Sequence, residues 1–225
     1  MVEFQRARNE EQREQRRLAI LATAAAMSAE MPVAEVGLNE LARRVGLAKS
    51  NVLRYFESLE AVLLELLDQA SRDWLAELGP RLSDTDGELR ERSSRLVTVL
   101  VSTLAAEPVL CDLLSAQAGV LERNISPDVA ARFKRTAYAN AMELRAMIIR
   151  LVPELTGERA FTFVAVTLMS IGALWSHAHP SSAMLTAYDR HPELAELRLD
   201  FEGVLTTQLW ILLRGLLSDD PRLIP

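Results

Sequence analysis

The chain has 225 residues, 49% of them hydrophobic, 25% charged and 5% aromatic, with a formal charge of -6. Its 9 glycines and 9 prolines are few for this length, and 38 leucines and 30 alanines favour helices, which excludes a turn-rich β-sandwich or barrel and excludes disorder. A single cysteine, Cys111, rules out an internal disulfide or a cysteine-based zinc site and fits a reducing, cytoplasmic setting, while a net acidic chain lacks the basic footprint of a nucleic-acid binder.

Residues 1–12 are polar and charged and read as a frayed arm. Helical spacing then begins, and helices are expected near 13–30, 38–45, 49–56, 58–79, 88–106, 108–122, 127–151, 158–178 and 193–217. Pro108, Pro127 and Pro192 each stand at a helix start, Ser126 caps one of them, and Gly79-Pro80 marks the end of the fourth helix. Stretches 80–87 and 179–192 read as irregular. No segment alternates with a period of two, so the expected fold is all-α. The expected layout is an N-terminal three-helix unit, 1–57, then a larger helical bundle, 58–225, with helix 58–79 as the connector.

Arg16-Arg17 followed by LAILATAAAM imitates a twin-arginine secretion signal. However, Glu10, Glu11 and Glu14 spoil the positive leader, and Ile20, Leu21, Ala24 and Met27 have the spacing of a core-facing helix. The apolar run 161–175 is shorter than the roughly 20 residues a bilayer requires, so it reads as a buried helix and no membrane association is expected.

Residues 38–56, LNELARRVGLAKSNVLRYF, carry the main functional signal. Leu41, Ala42, Val45 and Leu47 are apolar at helical spacing, Gly46 sits at a sharp break, and Val52, Leu53 and Phe56 resume the pattern. This is the arrangement of a helix-turn-helix, whose second helix enters a major groove. Lys49, Ser50, Asn51, Arg54 and Tyr55 give that helix groups for phosphates and for base edges.

The stretch from about 16 to 67 resembles the N-terminal domain of the tetracycline-repressor (TetR) family of bacterial transcriptional regulators. The matching residues are Ile20, Leu21, Ala24 and Met27, then Leu41, Ala42, Val45, Gly46 and Leu47, then Tyr55-Phe56, Ser58, Glu60, Ala61, Val62 and Leu63. Leu53 stands where the family commonly has Tyr, Leu59 where a Lys often helps to hold a phosphate, and Gly37-Leu38 where a Thr pair commonly opens the second helix. The resemblance implies a homodimer that binds double-stranded DNA at a palindromic operator and is released by a small-molecule effector. By position it adds Asn39 to Lys49, Ser50, Asn51, Arg54 and Tyr55 as DNA contacts.

Beyond residue 67 the resemblance rests on length and helicity. Phe161, Val164, Leu168, Ile171 and Trp175 form a heptad-like stripe, and Leu205, Leu209, Leu212 and Leu216 form another beside Trp210, Ile211 and Leu213. In proteins that this one resembles, the last two long helices, here 158–178 and 193–217, build a four-helix dimer interface with their copies. The middle helices are expected to enclose an effector pocket walled by Leu100, Leu104, Cys111, Leu114, Gln117, Tyr138, Met142, Arg145, Met169 and Trp175. His177, His179 and His191 have no metal-ligand spacing, and no cofactor motif or catalytic cluster stands out, so neither a metal site nor an enzyme is expected. The competing reading is a helical ligand-binding or protein-interaction module without operator binding, for which only Leu53 and Leu59 speak.

The charge then takes a different meaning. Residues 1–57 hold 9 Lys/Arg against 8 Asp/Glu, whereas 58–225 hold 16 against 23. The acidity belongs to the bundle, and the unit expected to read DNA is close to neutral.

Overall fold

No glycine or proline interrupts the chain before Pro32, and the first helix runs unbroken: in the computed structural model, which describes residues 2–218, α1 spans Val2–Glu30. The expected frayed arm is therefore helical from Val2. Its Arg, Gln and Glu residues form helices readily, and α1 stops only where Met31 precedes a proline, a position that disfavours helical backbone. A 3-10 turn, Val33–Glu35, leads into α2 (Leu38–Val45) and α3 (Lys49–Val52). Ile20, Leu21, Ala24 and Met27 of α1 are buried with Leu41, Ala42, Val52 and Phe56, which makes this unit's core.

Three elements follow before the bundle's centre: α4 (Leu59–Arg81), α5 (Leu89–Ala105) and α6 (Pro108–Ala116), the last widening into a π-turn at Gln117–Leu121. Gly79-Pro80 does not stop α4. Pro80 removes one N–H from the last turn, but Leu78 and Leu82 are both buried and the Leu82 N–H still reaches the Leu78 carbonyl at 3.1 Å. Next come α7 (Pro127–Leu151) and α8 (Gly157–Ala178), then α9 (Ser182–Arg190), a 3-10 turn at Pro192–Leu197, and α10 (Phe201–Leu217). The stretch expected to be irregular thus holds α9, started by Ser181, whose hydroxyl accepts from the Met184 N–H. The helix expected from 193 starts only at Phe201, where the Asp200 carboxylate caps the Gly203 N–H at 3.0 Å.

The helix α8 is long and apolar enough to cross a membrane by length and composition, yet its place is inside the bundle. It packs against α6, α7 and α10, and at Gly172 it comes so near α6 that an added Cβ would stand 2.7 Å from the Leu114 carbonyl oxygen. Most of the expected apolar stripe on α8 is consequently core: Val164 and Ile171 are fully buried, Leu168 is half-buried, and Trp175 stacks on His179 with centroids 3.8 Å apart and meets Phe201 edge-on, while Phe161 stands outside at 44% exposure. On α10, Leu205, Leu209 and Leu213 point inward. Met169 of α8, at 70% exposure, and Ile211 of α10, at 67%, are also left outside, the first beside α4 and α7 and the second beside the start of α5.

Candidate nucleic-acid interface and ligand cavity

The angle between α2 and α3 is set by backbone chemistry. Gly46 adopts φ 74°, ψ 30°, the left-handed region, and the Leu47 N–H folds back to the Ala42 carbonyl at 2.9 Å while the Gly46 N–H bonds that of Arg43. This Schellman ending closes α2 and aims α3, whose Val52 is buried as the anchor. The expected recognition helix 49–56 is shorter than the pattern implied. After Val52 the chain tightens into a turn, with the Tyr55 N–H on the Val52 carbonyl at 2.9 Å, because Phe56 must reach the core. Arg54 and Tyr55 therefore sit in that turn.

Asn39, Lys49, Ser50, Asn51 and Arg54 are all exposed, and Tyr55 is half-buried. Among the described residues, no side chain pairs with Lys49 or Arg54, so both cations stand free for phosphates. The two arginines of α2 are different. Arg43 makes a double hydrogen bond to Glu40 at 2.6 and 2.7 Å, and Arg44 bonds Glu40 and Glu30 at 2.9 and 2.6 Å. Hydrogen bonds from Arg43 and Arg44 hold the Glu40 carboxyl down to about 2. Arg13 and Arg16 on α1 are further exposed cations of this unit; both fell in the expected first helix, Arg16 also in the imitation of a secretion signal, and neither stood among the expected DNA contacts.

The unit is tied to the bundle by polar contacts. Arg17 donates to the Tyr55 carbonyl at 3.1 Å, lies 4.3 Å from the Phe56 ring centroid and pairs with Glu65 of α4. Asp112 of α6 accepts from the Val33 N–H at 2.6 Å, and Glu57 accepts from the Ser126 N–H at 2.5 Å, a bond that lowers the Glu57 pKa. Beside that bond, within the bundle itself, Asn124 donates to Glu60 at 2.9 Å.

Inside the bundle, α4, the end of α6, α7 and α8 enclose a cavity of about 480 Å³. Leu114, Gln117 and Met169 of the expected pocket residues line it. Leu100, Leu104 and Cys111 do not: they are fully buried in packed core, and burial, with Glu107 and Asp112 nearby, pushes the Cys111 thiol up to about 12. Tyr138 faces outward at 61% exposure, Met142 is half-buried off the cavity, Arg145 reaches instead to the Gly157 carbonyl at 3.2 Å, and Trp175 belongs to the core described above. The walls that the sequence reading missed are on α4 (Leu67, Asp68, Ser71, Trp74, Leu75) and on α7 (Phe133, Ala137, Asn140, Ala141, Leu144). Their one signal was spacing, since 133, 137, 140, 141 and 144 share a helix face. A second crevice, between the helix-turn-helix unit and the bundle, is lined by Arg17, Tyr55, Phe56, Glu65 and Arg72; Asp68 and Phe133 belong to both. Among the described residues no group of three His, Cys, Asp or Glu side chains is placed to hold a metal ion.

Comparison with known proteins bears on both halves. Residues 20–66 match the model of bacterial regulatory proteins of the tetR family, and residues 68–220 match that of the tetracyclin repressor-like C-terminal domain. The HTH-type transcriptional regulator EthR of Mycobacterium tuberculosis, and that of Mycobacterium bovis, are 33% identical to this chain over 118 residues, 51% of this chain and 51% of each relative. The aligned part thus spans about half the length of these curated relatives. A TetR transcriptional regulator from Rhodococcus sp. RHA1 shares the fold at 16% identity and TM-score 0.50, covering 91% of this chain and 97% of its own. A transcriptional regulator from Streptomyces coelicolor A3(2) does so at 16% identity and TM-score 0.51, covering 91% and 98%. With both its helix-turn-helix unit and its C-terminal bundle matched, the chain belongs to the tetracycline-repressor (TetR) family of bacterial transcriptional regulators.

Proposed function

We propose that this regulator is a cytoplasmic homodimer that represses transcription from a palindromic operator and lets go when a small molecule enters the bundle. Residues 1–57 are the DNA-reading unit, and 58–225 the effector-binding and dimerising unit, with α4 as connector. Lys49 and Arg54 neutralise phosphates; Asn39, Ser50, Asn51 and Tyr55 supply hydrogen bonds to bases or backbone. Exposed apolar residues of α8 and α10, Phe161 and Ile211 among them, pair with their copies, which places two recognition helices roughly 34–36 Å apart. The cavity behind α4 is the effector site.

One observation carries this reading: Asp68 of α4 borders both the cavity and the crevice under the helix-turn-helix unit. A ligand in the cavity therefore touches the helix that bears Arg17's partner Glu65, three residues away. Release follows only if the ligand binds the displaced arrangement of α4 more tightly than the DNA-competent one. The test is fluorescence anisotropy with DNA flanking the protein's own gene, together with light scattering for oligomeric state. Sequence-specific, salt-sensitive binding by a dimer is the expected result; a monomer that binds no flanking DNA at any salt overturns it.

A further inference from the structure

The cavity's chemistry narrows its ligand. Its one ionisable lining residue is Asp68, with a side chain only 12% exposed, and no Lys, Arg or His lines it. The polar groups are already oriented. Asn140 Nδ2 donates to Asp68 Oδ1 at 3.0 Å, and Gln117 Nε2 donates to Glu122 Oε1 at 2.7 Å. Flipping either amide would set oxygen against carboxylate oxygen, so the network fixes both. Glu122 stays ionised: burial works against its charge, but hydrogen bonds from Lys134, at 2.7 Å, and from Gln117 together outweigh that and lower its pKa. The Trp74 indole N–H is spent on Thr103 Oγ1 at 3.0 Å, and the Ser71 hydroxyl on the Leu67 carbonyl at 2.7 Å.

With one N–H of each amide on a carboxylate and the indole and hydroxyl donors engaged, oxygen acceptors outweigh donors in an apolar wall: the carbonyls of Asn140 and Gln117, which no donor reaches among the described residues, and the negatively charged Asp68 carboxylate stand against one remaining neutral N–H on each amide. We propose that the cavity takes an apolar molecule bearing an N–H donor, best a protonated amine, and discriminates against carboxylates. An ammonium gains charge-assisted bonds there, whereas an anion would shed its water and meet no cation. Asp68 is also the partner of Arg72, which lines the crevice beneath Tyr55 and Phe56. An ammonium on Asp68 competes with that pair, so the ligand disturbs the crevice from behind. That last step rests on the proposal that this cavity is the effector site; the ligand class does not.

Dodecylamine, 1-dodecanol and dodecanoate at pH 7, below micelle formation, are suitable probes, titrated calorimetrically into the full-length protein. The amine should bind about tenfold or more tighter than the carboxylate, with the alcohol between them. Asp68→Asn should remove most of the amine's advantage over the alcohol, Asn140→Leu should weaken both, and Ala141→Trp should exclude all three, with circular dichroism checking that each variant folds. Equal or tighter binding of dodecanoate, no binding by any probe, or an amine-to-alcohol ratio unmoved by Asp68→Asn each overturns the ligand class. Amine binding that leaves operator binding intact instead overturns the effector reading and leaves the class standing.

Discussion

Gly46 offers the sharpest test of how backbone geometry serves DNA reading. Its φ of 74° lies in the left-handed region, and a Cβ built there meets nothing within 4 Å. A substitution thus carries no steric clash, only the torsional cost of a side chain in that region, about 1–2 kcal/mol for Ala. Asn tolerates the conformation better, so Gly46→Asn should cost about half as much as Gly46→Ala. A free protomer relieves the strain by letting the Leu47 N–H leave the Ala42 carbonyl, which swings α3 out of register. Restoring the register on DNA then costs that amount in each protomer. In the proposed homodimer, Gly46→Ala should lose about 2–4 kcal/mol of affinity for its DNA, roughly thirtyfold to a thousandfold. Anisotropy measures the affinity. Amide hydrogen exchange, not tryptophan fluorescence, measures the local opening, because Trp74, Trp175 and Trp210 all sit in α4, α8 and α10. Equal losses for Ala and Asn, or no loss for either, would refute the torsional argument.

Three further outcomes follow from the same geometry. Lys49→Ala should flatten the dependence of log affinity on log salt by about 0.9 for each phosphate freed, hence close to two per dimer, whereas Arg43→Ala, whose charge Glu40 already neutralises, should change the slope by about half of that or less; equal changes would show that Lys49 is no freer than Arg43. The Glu40 carboxyl is depressed to about 2 in the folded chain, so its stabilising effect is complete above the ordinary value of 4.5 and fades as pH falls from there towards 2. Unfolding of the wild type should therefore lose more stability than Glu40→Gln across that window, and parallel pH curves would speak against the bonds from Arg43 and Arg44. Gly172→Ala forces a methyl within 2.7 Å of backbone and should destabilise the bundle by about 1–3 kcal/mol in urea melts, against near-neutrality at Gly119, where a Cβ meets nothing within 4 Å.

The helix-turn-helix was legible because its determinants are local: Gly46, the apolar set Leu41, Ala42, Val45 and Leu47, and the anchor Val52 lie within twelve residues. So was α7, whose start is written in Ser126-Pro127, with the Ser126 hydroxyl accepting the Val129 N–H at 3.3 Å. By contrast, α9 escaped notice because none of its residues is buried, and a helix that turns no apolar stripe to the core leaves no period to read. The recognition helix was read too long because Leu53 looked like a continuing core position, yet it is exposed, and Phe56 closes the core through a turn. The cavity was least legible. Leu100, Leu104 and Cys111 have the same apolar spacing as true wall residues, but they are fully covered by neighbours. A cavity is space left unfilled between helices distant in sequence, here Leu67–Leu75 against Phe133–Leu144, and no single helix records that.

The strength of the tie between the two units decides whether a ligand could move one against the other. The polar bonds across it are few: Asp112 to the Val33 N–H, Glu57 to the Ser126 N–H, and Arg17 to Glu65. The carboxylates of Asp112, Glu57 and Glu65 are exposed or half-buried, where an ion pair is worth about 0–1 kcal/mol and a hydrogen bond to a charged group about 1.5–3. The sum is a few kcal/mol, the same order as the 1–3 kcal/mol of coupling typical of allosteric proteins. Apolar packing adds to it, since Ile20, Ala24, Met27 and Val33 share one buried core with residues of α4 and α6. A molecule that favours one position of α4 by a few tens-fold therefore changes the balance between arrangements that keep this packing and differ in the polar bonds, provided it contacts α4 itself. One that stiffens α7 and α8 while leaving Asp68 and Ser71 untouched has no differential grip on the two arrangements, and so shifts nothing however tightly it binds.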